Sequence, residues 1–186
     1  VESGVKLKQC HKDDLYHVKE KPKGLILKEN FDGLVTHLNG VGLVIRHADC
    51  QGTIFYDPKN KVIANVHCGW RGSVKNVYKE TIRKMRKLYN TQACDLIVCI
   101  SPSLGPDAAE FIHFKEELPV AFWNYQEKPN YFNFWKISRD QLIKEGVQDS
   151  SIEIAEICTY GNQDICFSYR QNKQTGHHAS IVGLVK

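Results

Sequence analysis

A layered α/β or α+β domain is the fold class predicted, and three observations predict it. Short β-rich runs alternate along the chain with stretches of helical spacing. Helices fall between strands rather than after them, which implies layers of sheet and helix. The composition is that of a globular chain, 42% hydrophobic and 25% charged over 186 residues, long enough for one domain with a substantial core.

The elements follow in order. A weak strand signal lies at 25–27 (LIL). Stronger ones lie at 42–46 (GLVIR), 53–56 (TIFY), 62–66 (VIANV), 96–100 (LIVCI), 152–157 (IEIAEI) and 181–185, all rich in β-branched or aromatic residues. Behind Ser73, the residues Val74, Val77, Tyr78, Ile82, Met85 and Leu88 keep helical spacing, with Ser73 as N-cap. A second helix is expected at 111–122, bent or broken by Pro119. A third is expected at 138–145 (SRDQLIKE), stopped by Gly146.

Composition also excludes partners. No run of about 18 apolar residues occurs, so no membrane span is expected. The opening VESGVKLKQC has no apolar centre, so no secretory signal is expected. Net charge is +4, and the densest basic stretch, KETIRKMRK at 79–87, reads as a solvated helix face rather than a nucleic-acid patch. The seven cysteines are odd in number and contain no CxxC. A reducing, cytoplasmic setting fits that usage.

Chemistry concentrates at 48–72, ADCQGTIFYDPKNKVIANVHCGWRG. DPKN between two β-rich runs predicts a hairpin. With residues 57–60 as the loop, Tyr56 faces Lys61 and Cys50 falls directly opposite His67. Opposed side chains have Cβ atoms about 4.5–5.5 Å apart. That distance suits two ligands on one ion and equally a thiolate–imidazole pair. Next, Gly69-Trp70-Arg71-Gly72-Ser73 joins strand to helix. A helix N-terminus at Ser73 and the Arg71 guanidinium make an anion site there. Trp70 reads as a core aromatic or a stacking surface. Spacing leaves a third ligand open among the other histidines.

At these residues the sequence resembles the YfiH-like family, also called laccase-domain or "polyphenol oxidase" proteins and viewed as purine nucleoside phosphorylases. Ala48-Asp49-Cys50 and His67-Cys68-Gly69-Trp70-Arg71-Gly72 are similar to its ADC…HAGWRG. Gln9-Cys10-His11 resembles its Q-x-H, and Gly33-Leu34-Val35-Thr36 its D-a-l-v-T strand. Ser101-Pro102-Ser103-Leu104-Gly105 stands at its glycine-proline loop. Cys158-Thr159, Phe167-Ser168-Tyr169-Arg170 and Gly176 resemble its C-terminal motif.

The resemblance implies one YfiH-like catalytic domain over 1–186. The fold implied is an α/β/α sandwich of mixed sheets, related to that of a toxin deamidase group. The family's N-terminal N-L-S-type segment has no match in these residues. The resemblance further implies one zinc held by His11, Cys50 and His67, with a fourth position open as in catalytic zinc. Copper fits less well, because several coppers need many imidazoles. The activities implied are phosphorolysis of adenosine, inosine, guanosine and methylthioadenosine, and adenosine deamination. The partners are then a purine nucleoside and phosphate. In this reading Cys50, His67, Asp49 and Arg71 are catalytic. Asp49 holds a ligand His or acts as acid/base, or else is a turn or capping carboxylate. Arg71 and Ser73 bind substrate, as do Gln9, unless its amide serves only a backbone group, and Tyr169 and Arg170, unless they lie on the surface. The rivals are a metal-free cysteine hydrolase using Cys50 and His67, a cell-wall-precursor editing amidase, and a metal-stabilised binding module. Departures from the family pattern are Cys68, Gln51-Gly52 where a proline is usual, the loop at 101–105 without its opening glycine, and His177 in place of a final arginine.

Overall fold

The computed structural model describes residues 3–185. Its first half runs β1 (Ser3–Lys8), β2 (Leu15–His17), β3 (Gly24–Glu29), β4 (Gly33–Thr36), β5 (Gly42–His47), β6 (Gln51–Asp57), β7 (Val62–Cys68), α1 (Trp70–Lys75) and α2 (Val77–Tyr89). The second half adds β8 (Ile97–Ile100), α3 (Phe114–Glu117), β9 (Gln126–Lys128), β10 (Tyr131–Phe132), α4 (Phe134–Lys144), β11 (Ile152–Ile154) and β12 (His178–Val182).

Two mixed sheets carry the fold, in the orders β12-β5-β1-β3 and β11-β8-β6-β7-β4-β2. Alternation along the strands assigns their faces. Val5 and Leu7 of β1 and Leu43 and Ile45 of β5 pack against Leu34 and Ile63 of the six-stranded sheet. The other face of that sheet presents Phe55, Ala64, Val66 and Val98 to Tyr78, Ile82 and Met85 of α2 and Leu142 of α4. The class is therefore α/β with mixed sheets. Its layers run sheet, sheet, helices, so the four-stranded sheet stands where an α/β/α sandwich has its second helical layer. Covering the six-stranded sheet on both faces leaves β4 and β7 buried throughout and mostly apolar, with Thr36, Asn65 and His67 the polar exceptions. No helix among the described residues is long and apolar enough to cross a membrane.

Three expectations need correction. The first helix does not begin at Ser73. Ser73 lies inside α1, its N–H bonded to Gly69 O at 3.0 Å. The helical run is broken at Asn76, which takes φ 54° and whose side chain caps α2 by accepting from Lys79 N–H at 3.1 Å. Asparagine tolerates that left-handed turn and caps well, so one periodic run becomes two helices. At 111–122 only α3 forms, and after Pro119 a 3₁₀ turn spans Val120–Tyr125. The third helix starts earlier, at Phe134, capped by Asn133. Two strands are also displaced from expectation: β11 stops at Ile154, and β12 lies at His178–Val182.

The hairpin register is shifted too. Tyr56 pairs with Ile63 and Gly52 with His67. Asp57 stays in the ladder, and its side chain accepts from the N–H groups of Lys59 and Asn60, both at 3.0 Å. Lys61 takes the left-handed conformation at φ 51°. The loop is thus residues 58–61, one residue later than the turn sequence suggested. Every partner moves by two residues, which preserves the face each side chain occupies.

Candidate metal centre

His11, Cys50 and His67 each offer one donor atom, and the three atoms lie within 4.8 Å of one another. They come from three places. His67 is on β7. Cys50 precedes β6, just after Asp49, which takes φ 78°. His11 follows β1 and takes φ 58°. Cys50 is thus diagonal to His67 across the hairpin rather than opposite it, still within reach of a long side chain. The two imidazoles meet edge to face, centroids 4.8 Å apart.

One carboxylate that sequence reasoning did not single out organises this cluster. Asp32, fully buried ahead of β4, accepts from His67 Nδ1 at 2.9 Å. It also accepts from the backbone N–H groups of Cys10, His11 and Lys12 at 3.2, 2.9 and 2.7 Å. The Cys10 thiol lies 3.1 Å from it. The signal available in the sequence was an acid opening the strand matched to the family's D-a-l-v-T.

The electrostatics follow from these contacts. Burial would raise the Asp32 carboxyl, but the His67 ring and the donors at Lys12 and Cys10 hold it well below the usual carboxylate range. Burial works against charge on His67 as well, yet Asp32 and Cys50 on either side raise it to about 9. Burial likewise pushes the Cys50 thiol up, and hydrogen bonds from His11 and His67 outweigh it, bringing it down to about 6. Without a metal, each member of the pair thus favours charge on the other, the Cys50 sulfur accepting from the His11 and His67 rings. The neighbouring Cys68 is the reverse: burial pushes its thiol up to about 12.

The donor set fits zinc. Two nitrogens and a thiolate are its usual ligands, and a tetrahedral ion needs donor separations of about 3.4–3.6 Å, a small contraction of the observed cluster. With Nδ1 on Asp32, His67 keeps Nε2 for the ion, the arrangement expected of a metal-bound histidine. Gly69 leaves the cradle open, since a Cβ there would stand 2.9 Å from Cys50 Sγ and 3.3 Å from His11 Cδ2.

A cavity of about 490 Å³ opens on this cluster, with His11 and Cys50 in its wall. Its lining also includes the apolar Trp70, Leu104, Phe111 and Phe134 and the cationic Arg71, Arg170 and Lys173. Trp70 joins the aromatic cluster, its ring centroid 6.0 Å from that of Phe111, and carries the Arg71 guanidinium at 4.1 Å. Trp70 was expected as a core aromatic or a stacking surface, and it is in the wall; Phe111, Phe134 and Lys173 were not anticipated, because no local spacing links them to it.

The other expected site residues fall as follows. Tyr169 is half-exposed and lines the cavity. Arg170 lines it too, but its guanidinium donates to Glu110 O at 3.0 Å. Ser73 is buried in the floor against Cys68 Sγ, 3.3 Å away, so it opens no helix and offers no free N-terminal N–H. Gln9 is not in the cavity wall; its amide binds the main chain of Arg46. Asp49 does not hold a ligand histidine. Its carboxylate accepts from Thr159 Oγ1 at 2.7 Å and from Arg170 N–H at 2.5 Å, and its carbonyl accepts from Leu104 N–H at 2.8 Å. It staples the loop at 101–105 and the segment at 159–170 around the cavity.

Fold and site together define an α/β domain with a cluster of three potential metal donors beside an aromatic and cationic cavity. The chain belongs to the family described as multi-copper polyphenol oxidoreductase laccase, whose model matches residues 1–185. A purine nucleoside phosphorylase of Bacteroides thetaiotaomicron is 32% identical over 149 residues, covering 75% of this chain; the chain spans 55% of that relative's length. Purine nucleoside phosphorylase YlmD of Bacillus subtilis is 24% identical, covering 99% of this chain and 72% of the relative. Human purine nucleoside phosphorylase LACC1 is 27% identical, covering 91% of this chain and 40% of the relative. Among solved structures, YlmD of Geobacillus stearothermophilus superposes with a TM-score of 0.86 at 24% identity, covering all of this chain and 74% of that one. YfiH of Bacillus licheniformis gives 0.86 at 22% identity, covering 97% and 74%. These two likenesses establish the fold.

Proposed function

We propose that this chain is a zinc-dependent purine nucleoside phosphorylase, with adenosine deamination as a second reaction of the same site. One observation carries the reading: His11, Cys50 and His67 converge, and the first two of them stand in the wall of a cavity that is otherwise aromatic and cationic. Relatives named purine nucleoside phosphorylase support it. The copper in the family's description meets three donors here, one of them a thiolate, fewer than several coppers require.

Zinc held by these residues would supply a Lewis acid and a bound water of pKa near about 7. The chain's own residues do the rest. Trp70, Phe111 and Phe134 offer a purine flat apolar walls. Arg71 and Lys173 place positive charge where phosphate enters. The helix end beside them starts at Trp70, three residues before the expected Ser73. In phosphorolysis a phosphate oxygen forms a bond to ribose C1′ as the C1′–N9 bond breaks. The electron pair leaves on the purine, which takes up a proton, giving free base and ribose 1-phosphate. The aromatic walls exclude water from C1′, and the cations hold phosphate against its own charge.

The test is elemental analysis of the purified chain with assays for ribose 1-phosphate and free base from adenosine, inosine and guanosine. About one zinc per chain and turnover abolished by a chelator are expected. Turnover that survives the chelator and dies on thiol alkylation would instead support a cysteine hydrolase built on Cys50 and His67, and the zinc reading would be wrong.

Asp49→Ala tests the staple. It frees the segment that brings Tyr169, Arg170 and Lys173 to the cavity. Losing a charged hydrogen bond of about 1.5 kcal/mol predicts a KM rise of roughly tenfold, with kcat and zinc content close to wild type. A collapse of kcat at constant KM would mean that Asp49 acts in the chemistry itself.

A further inference from the structure

We infer that Asp32 is the positioning residue that presets both histidine donors of the metal centre, His67 through its ring and His11 through its backbone. The inference rests on the zinc reading above and adds to it the residue on which the site's geometry depends.

The contacts divide between the two carboxylate oxygens. Oδ1 accepts from His67 Nδ1 and from His11 N–H, both at 2.9 Å. Oδ2 accepts from Lys12 N–H at 2.7 Å and Cys10 N–H at 3.2 Å, with Cys10 Sγ at 3.1 Å. A buried carboxylate has acceptor sites only, so every one of these neighbours has to be a donor. That fixes the His67 proton on Nδ1 and leaves the Nε2 lone pair for an ion. The three consecutive N–H groups curl the chain around Asp32. Curling of that kind holds His11 in its left-handed conformation, φ 58°, an uncommon state for a residue with a side chain. His11 has no carboxylate of its own among the described hydrogen bonds, so its placement depends on this backbone grip. The main chain joins in where Asp32 O accepts from His67 N–H at 2.7 Å. The Asp32 main chain thus registers the strand that carries His67, while its side chain orients the ring.

The Asp32→Asn substitution cannot reproduce this. The amide's carbonyl oxygen can replace one carboxylate oxygen, and its NH₂ then takes the place of the other. Beside Oδ2 the NH₂ meets two backbone N–H groups that cannot accept. Beside Oδ1 it pairs with His67 only if the ring proton moves to Nε2, which blocks the metal-facing nitrogen.

The experiment is a chelator-competition titration of the whole chain with Zn²⁺ alone, comparing wild type, Asp32→Asn and Cys10→Ala. Asp32→Asn is expected to bind zinc about 10–100-fold more weakly. Cys10→Ala removes one donor and touches neither histidine, so its affinity should stay within a few-fold of wild type. A folded Asp32→Asn variant with wild-type affinity overturns the assignment. Should that variant fail to fold, ¹⁵N spectra of histidine in the zinc-loaded wild type decide the matter. A proton on His67 Nδ1 supports the assignment, and a metal-bound Nδ1 overturns it. A wild type that takes up no zinc overturns both this inference and the zinc reading, whereas Asp32→Asn at full affinity overturns this one alone.

Discussion

Replacing Cys50 with Ala is expected to remove zinc and turnover together while leaving the fold in place. Cys50 supplies the only thiolate of the three donors. Losing an outer partner of a metal ligand costs 10–100-fold in affinity, so losing the ligand itself should cost more than about 100-fold. The fold should survive because Cys50 lies outside the buried apolar clusters, and His67 keeps its partner Asp32 at 2.9 Å. The charge balance also favours survival. In the metal-free protein the thiolate is held by the two imidazoles, and in the variant His67 stays paired with Asp32 alone. Elemental analysis, the phosphorolysis assay and thermal unfolding, run on the same preparation, check this. A variant that keeps about one zinc per chain would sink the proposed ligand set. Alkylation gives an independent measure. With Cys50 drawn down to about 6 and Cys68 pushed up to about 12, iodoacetamide at pH 7 should label Cys50 far faster than Cys68 in chelator-treated protein, since the thiolate is the reactive form. Zinc should then protect Cys50.

Much of this was legible in the sequence because β structure is legible by parity. The turn residues put Cys50 and His67 near each other, and a register error of two residues left that conclusion standing, since it does not change which face a side chain occupies. A one-residue error would have sent His67 to the helical face. The third donor was not legible from spacing. His11 reaches the site only because β1 runs parallel to β5 in the other sheet, and a parallel neighbour leaves no hairpin to count along. Its assignment came from the family resemblance alone. Asp32 was missed for a related reason: an acid before a buried strand looks like a turn residue until its five donors are assembled from residues 10–12 and 67. Asp49 misled in the opposite direction. Its place beside Cys50 suggested chemistry, while its oxygens serve Thr159 and Arg170, more than a hundred residues away in the chain. The helix start failed locally. Ser73 has the chemistry of a cap, but Gly69 already permits the turn, and the run of helical spacing conceals the break at Asn76.

The second large effect is expected from Gly52→Ala. Gly52 sits where this chain departs from the family's usual proline close behind the ADC cysteine, and the space beside it is filled. A Cβ at 52 would overlap Ser180 Oγ and stand 2.8 Å from His47 Nε2. Those two atoms are hydrogen-bonded to each other at 2.8 Å; His47 is buried, so its ring cannot swing clear into solvent, and turning the Ser180 hydroxyl aside breaks that bond. Nor can the main chain retreat. Gly52 N–H donates to Ser101 Oγ at 2.9 Å, Gly52 O accepts from Ser101 N–H at 3.0 Å, and the ladder pairs Gly52 with His67. Overpacking of this kind costs about 1–3 kcal/mol, or a fall in Tm of roughly 2–12 °C at 2–4 °C per kcal/mol for a domain of this size. Because the strained residue is registered against His67, zinc affinity should fall along with Tm. Ser180→Ala removes the first obstacle. In the double variant the two losses should not add, leaving a coupling of about 0.5–3 kcal/mol in a denaturant double-mutant cycle. Strict additivity would mean that the strain is relieved elsewhere. A Gly52→Ala variant as stable as wild type would mean that His47 and Ser180 yield to the added methyl at little cost.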